Sequence, residues 1–135
     1  MKVFLDTNVL VAAFATRGLC ADVVRLTLAG HEMIVSETVL VELARALRQK
    51  IGLPDREARS VVSFVRQEAT LAPEASGQST VRDPKDAPIL AAAVACGADV
   101  LVTGDRELLE LDQPVGIRIV SPRGFWQLVK APPDG

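Results

Sequence analysis

Tyrosine is absent from this sequence and aromatic residues make up only 4% of it, so a surface that grips single strands by stacking bases on aromatic rings is not expected. Cysteine is nearly absent. Cys20 and Cys96 are too few and too far apart for a disulfide framework or a zinc finger, and read as free, buried thiols in a reducing compartment. His31 is the single histidine. It follows Gly30 at a helix-to-strand turn, where a structural role outweighs a catalytic one, and a zinc site built on soft ligands is poorly supplied. No apolar stretch approaches the roughly 20 residues that span a bilayer. The start, Met1-Lys2, runs into a strand with no apolar leader. A cytoplasmic protein without a membrane partner is expected.

What is present is ordinary globular material. The chain has 135 residues, 49% hydrophobic and 24% charged, with net charge −2, which suits one domain with one core. Residues 1–130 are expected to form that domain, with 131–135 as a frayed tail. The net charge argues against a broadly basic surface but leaves room for a local one. No repeat with a period of 20–50 residues is visible.

Apolar runs and helical segments alternate along the chain. Strands are expected at Lys2 to Leu5, Met33 to Val35, Thr70 to Ala72, Val100 to Val102 and Ile117 to Val120. Between them lie helical segments at Thr7 to Phe14, Cys20 to Ala29, Glu37 to Gln49, Asp55 to Glu68, Asp83 to Cys96 and Glu107 to Leu111. Asp6 or Thr7, Ser36, Asp83 and Ser121 are placed to cap helices, and Pro84 suits a first helical position. Ala75 to Ser79 reads as a surface loop, and Ser121-Pro122 opens a last helix reaching Val129 or Lys130. The alternation predicts an α/β/α sandwich of three layers, with a central parallel sheet of four to five strands. Such sheets place their ligand sites beyond the carboxyl ends of the strands.

Four carboxylates fall where that fold would gather them. Asp6 ends the first strand, Asp105 follows the fourth, Asp86 opens an alanine-rich helix and Glu42 lies within an earlier one. Each has a bland alternative. Asp6 and Asp105 could cap helices, Asp83 and Asp86 could form a capping box, and Glu42 could pair with Arg45 at i+3. Taken together the acids weigh more. Two carboxylates about 5 Å apart repel by about 3 kcal/mol at an effective dielectric near 20, which calls for a bound cation or raised pKa values. Oxygen-only ligation selects Mg²⁺ or Mn²⁺. Thr7, Asn8 and Thr103 could hold the ligands or a water, their alternative being local capping.

The order and spacing of these motifs resemble one family. Val3-Phe4-Leu5-Asp6-Thr7-Asn8-Val9-Leu10, Ser36 with Glu42, Asp83-Pro84-Lys85-Asp86 before Ile89-Leu90-Ala91-Ala92-Ala93, and Thr103-Gly104-Asp105 look like a PIN domain. The single-domain bacterial PIN toxins of toxin–antitoxin modules (VapC-like) are similar from about Val3 to Val129. The resemblance implies an α/β/α fold and a Mg²⁺- or Mn²⁺-dependent ribonuclease. It carries the acidic site onto Asp6, Glu42, Asp86 and Asp105, with Asp83 as an extra acid seen in part of the family. It also implies an antitoxin partner. The opening Asp6-Thr7-Asn8 differs from the Asp-x-Ser common among those toxins, and places the chain in a neighbouring branch.

An RNA substrate would be gripped by Arg45, Arg48, Lys50, Arg56 and Arg59, just beyond Glu42, with Arg17 and Gly18 as a second contact. Solvated residues paired with Asp55 and Glu57 are the alternative. Broad apolar helix faces suggest a homodimer. Other readings are a PIN-fold nuclease of RNA maturation or DNA processing, and a non-catalytic binding module. A flavodoxin-like receiver or phosphatase fits poorly, since no Asp follows Val35 or Ala72.

Overall fold

The chain begins with three consecutive apolar residues, Val3, Phe4 and Leu5, none of which retains any exposure to solvent. A strand buried on both faces belongs at the centre of a parallel sheet covered by helices on each side. That is its place in the computed structural model, which describes residues 1–73, 87–111 and 116–130. Five parallel strands, β1 (Lys2–Leu5), β2 (Glu32–Ser36), β3 (Thr70–Ala72), β4 (Val100–Val102) and β5 (Arg118–Val120), stand in the order β3-β2-β1-β4-β5. Helices flank the sheet, giving an α/β/α sandwich. They are α1 (Thr7–Ala15), α2 (Leu19–Gly30), α3 (Glu37–Ala46), α4 (Asp55–Glu68), α5 (Ala87–Ala95), α6 (Arg106–Leu109) and α7 (Pro122–Lys130).

The strand order decides where a site can form. From β1 the chain moves outward through β2 to β3, then returns across the sheet to β4 beside β1. Direction reverses between β1 and β4, and the crevice beyond the carboxyl ends of those two strands is where such sheets bind ligands. Leu5 lies opposite Val102, and the Asp6 N–H continues the ladder by donating to the Val102 carbonyl at 3.0 Å. Asp6 and Thr103 are therefore neighbours across the seam.

Most elements form where the sequence places them, and α4 keeps its bounds. Ser36 caps α3 through its hydroxyl, which accepts from the Val39 N–H at 3.2 Å. Ser121 does the same for Gly124 at 2.9 Å in α7. The third helix departs from expectation. Regular α structure ends at Ala46, and Leu47–Ile51 form a π-helical turn. Gly52 closes it with φ of +84°, and both Gly52 and Leu53 donate to the Leu47 carbonyl. The start of the helix expected from Asp83, and the loop Ala75 to Ser79, lie outside the described residues.

Gly52 tests this terminus. A Cβ there meets no heavy atom within 4 Å, so Gly52→Ala is expected to lose only the backbone preference, about 1–2 kcal/mol. Urea unfolding should show a lower midpoint with an unchanged slope. A loss near zero would mean that the left-handed turn is not formed.

Candidate metal-binding and catalytic site

Asp6 is the residue around which the site is built. It ends β1 and caps α1, its carbonyl accepting from Val9 and Leu10 at 3.1 and 3.3 Å. Its carboxylate lies 5% exposed in the crevice beside β4. Oδ1 accepts from the Thr7 N–H at 2.7 Å, and Oδ2 from the Thr103 hydroxyl at 2.6 Å. The Thr103 hydroxyl in turn accepts from the Asp105 N–H at 3.0 Å. Its one proton is thus committed to Asp6. Thr103, fully buried, ties the two acids together across the seam.

Glu42 reaches the same crevice from α3. Its Oε1 accepts from the Thr7 hydroxyl at 2.8 Å, and no ion pair with Arg45 forms. The alternative of an i+3 pairing loses to a partner from α1, which offers a donor inside the crevice rather than at the solvated surface. Asp105 caps α6, its Oδ1 accepting from the Glu107 N–H at 2.8 Å. The capping alternatives for Asp6 and Asp105 are therefore both realised. They do not compete with a site role, because each carboxylate still faces the crevice.

The electrostatics support that reading. The Asp6 carboxyl is pushed above its ordinary value, chiefly by burial. Hydrogen bonds from Thr103 and Thr7 pull it back, and repulsion from Asp105 and Glu42 pushes it up further. The sequence pointed to mutual repulsion among the acids, and burial adds a larger cause. No Lys or Arg pairs with Asp6 among the described residues.

These groups line a groove of about 600 Å³ with Asn8, Arg45, Ala46, Gln49, Lys50, Ile89 and Glu107. Asn8 stands exposed at its rim. Arg48 points elsewhere, 3.4 Å from Asp55, and Arg59 meets Asp55 at 3.0 Å, so those two follow the ion-pair alternative. Arg17 lies exposed after α1 and is not among the lining residues. Gln49 was not singled out from sequence; it lies in the π-helical turn, where α-helical spacing from Glu42 no longer applies. His31 sits at the opposite edge of the sheet with its ring edge-on to Phe125. Asp83 and Asp86 lie outside the described residues.

Among the described residues, no three His, Cys, Asp or Glu side chains are assembled as a ready cage for a metal ion. The donor chemistry still fits a hard cation. The acids offer only oxygen, and Asp6 is a buried carboxylate lacking a described counter-charge. Asp6, Glu42 and Asp105 are the described groups that would hold it.

The sequence profile of the PIN domain matches residues 2–107. The fold is similar to that in the crystal structure of VapBC2 from Rickettsia felis bound to a DNA fragment from their promoter, with a TM-score of 0.65 and 16% identity. The match covers 90% of this chain and 98% of that one. No curated protein matches.

Because the Asp6 carboxyl titrates above its unfolded value, its stabilising contribution is complete below the ordinary carboxylate range. That contribution is lost as pH rises through the folded pKa. Asn keeps only one acceptor for the two donors, so the pH dependence of the difference is the test. In EDTA the melting temperature of Asp6→Asn relative to wild type is expected to rise from pH 4 to pH 7, by about 3–5 °C for each kcal/mol recovered. A difference that does not change with pH would contradict the assigned burden of the buried charge.

Proposed function

This chain belongs to the PIN-domain family, and from that premise we propose that it is a divalent-metal-dependent endoribonuclease, the toxin of a type II toxin–antitoxin module. The observation that carries the proposal is the buried Asp6 carboxylate facing Glu42 and Asp105, with no ion pair to any described Lys or Arg. PIN domains are generally nucleases, and an all-oxygen acidic crevice at the seam of a parallel sheet suits that chemistry.

Asp6, Glu42 and Asp105 hold Mg²⁺ or Mn²⁺ in this reading, and Asp86 joins them on the sequence alone. When bound, such a cation lowers the pKa of an attacking water and offsets charge on the leaving oxygen of the phosphodiester. The chain's own residues orient the set. Thr103 aims the Asp6 carboxylate and favours its charged form, and the Thr7 hydroxyl fixes Glu42. Asn8, at the rim, is placed to hold a water or a phosphate oxygen. The arrangement asks for no protein nucleophile.

The similar structure is of a VapBC2 assembly, which supports an antitoxin partner. In this reading the antitoxin neutralises the chain by covering the acidic groove. An inserted Arg or Lys would meet the carboxylates in place of substrate. A homodimer is part of the same proposal.

Purified protein is expected to cut RNA but not single-stranded DNA, with Mg²⁺ or Mn²⁺ and not with EDTA. Asp6→Asn and Asp86→Asn should each lower the rate by more than about 100-fold, beyond the loss typical of residues that only support a ligand. Equal cleavage by wild type and Asp6→Asn would sink the nuclease proposal. Cleavage of DNA would favour a DNA-processing role instead.

A further inference from the structure

The π-helical turn after α3 changes which basic residues face the groove. In an unbroken α-helix each residue turns about 100°, which would swing Lys50 roughly 80° away from Glu42. A π turn closes i→i+5 hydrogen bonds and winds about 80° per residue. By that winding Leu47–Ile51 would bring Lys50 back into line with Glu42 and set Arg48 roughly opposite. The observed surroundings separate Lys50 from Arg48. Arg45 and Lys50 line the groove with the acids, and Arg48 turns to Asp55.

Neither Arg45 nor Lys50 makes an ion pair among the described residues, and both are exposed. They share the groove's lining with Asp6, Glu42 and Asp105 and form no ion pair with those three acids. The lining has no aromatic side chain among the described residues, so a nucleic acid entering here is gripped by charge rather than by stacking. With four described acids in the lining and two bases, a polyanion needs these cations as its approach. A concave groove of about 600 Å³ admits a single strand more readily than a duplex.

We propose that Arg45 and Lys50, turned to the groove by α3 and its π-helical end, clamp the phosphodiester backbone of a single-stranded nucleic acid next to the scissile linkage. Arg48, in the same turn, takes no part. The clamp rests on the nuclease reading above and refines it, by assigning the substrate's phosphates to one wall of the groove. It is blind to base identity, since each contact is to phosphate.

The test is fluorescence anisotropy in EDTA with single-stranded RNA and DNA of one sequence, roughly 12 nucleotides long. Salt is varied, and Asp6-dependent cleavage by the wild type is measured alongside. Arg45→Gln with Lys50→Gln should weaken binding of both strands by at least about tenfold and lower the log–log salt slope by about 1.4, from two lost phosphate contacts. Arg48→Gln, which removes one charge from the turn that carries Lys50, should change neither, and Lys50→Arg should bind as wild type. If the double variant binds like Arg48→Gln while wild type still cleaves, the clamp is wrong and the nuclease reading stands. If wild type neither binds nor cleaves, both fall. A loss confined to RNA would overturn a phosphate grip in favour of 2′-hydroxyl recognition.

Discussion

A carboxylate buried at the seam between β1 and β4 is the constraint on which the rest of this molecule turns. Asp6 is held by two hydrogen bonds, from the Thr7 N–H and the Thr103 hydroxyl, and it has two further acids as neighbours in place of a base. Those bonds favour the charged form, but burial outweighs them. A charge taken from water costs free energy unless something opposite meets it. The cost is intelligible if the missing counter-charge arrives with a ligand, since a ligand that binds only the folded chain returns stability by mass action.

The architecture delivers this arrangement with little freedom. The central strands are apolar on both faces, so the first polar side chains after Leu5 and Val102 necessarily emerge at the carboxyl edge, one strand spacing apart. Thr103 and Asp105 follow β4, and Asp6 follows β1. From the flank, α3 adds Glu42, locked by Thr7. The same helix ends in the π turn that sets which of its cations reach the groove. Acids at the base and cations along one wall therefore come from the same few turns of backbone.

Much of this was legible in the chain. Strands that are buried on both faces read as unbroken apolar runs, so Lys2–Leu5 and Val100–Val102 are plain, and capping residues marked the helix starts at Ser36 and Asp105. The acids were found because short motifs follow each strand. Three things were hidden. A π turn carries no residue signature beyond Gly52, because it differs from an α-helix only in which carbonyl each N–H selects. Glu42's partner came from another helix, and i+3 spacing sees only its own. The relative weight of burial and repulsion at Asp6 depends on packing that a sequence does not print. Asp83 and Asp86 lie outside the described residues, so their place in the site stands on sequence alone.

Calorimetric titration of Mn²⁺ into the metal-free protein at neutral pH bears most directly on the central claim that the crevice is a cation site. The account predicts saturable binding by the wild type and its loss in both Asp6→Asn and Glu42→Gln, with each variant still folded. Binding that persists unchanged in Asp6→Asn, or no binding by a folded wild type, would contradict it. The buried carboxylate would then be a structural feature, with no metal to answer its charge.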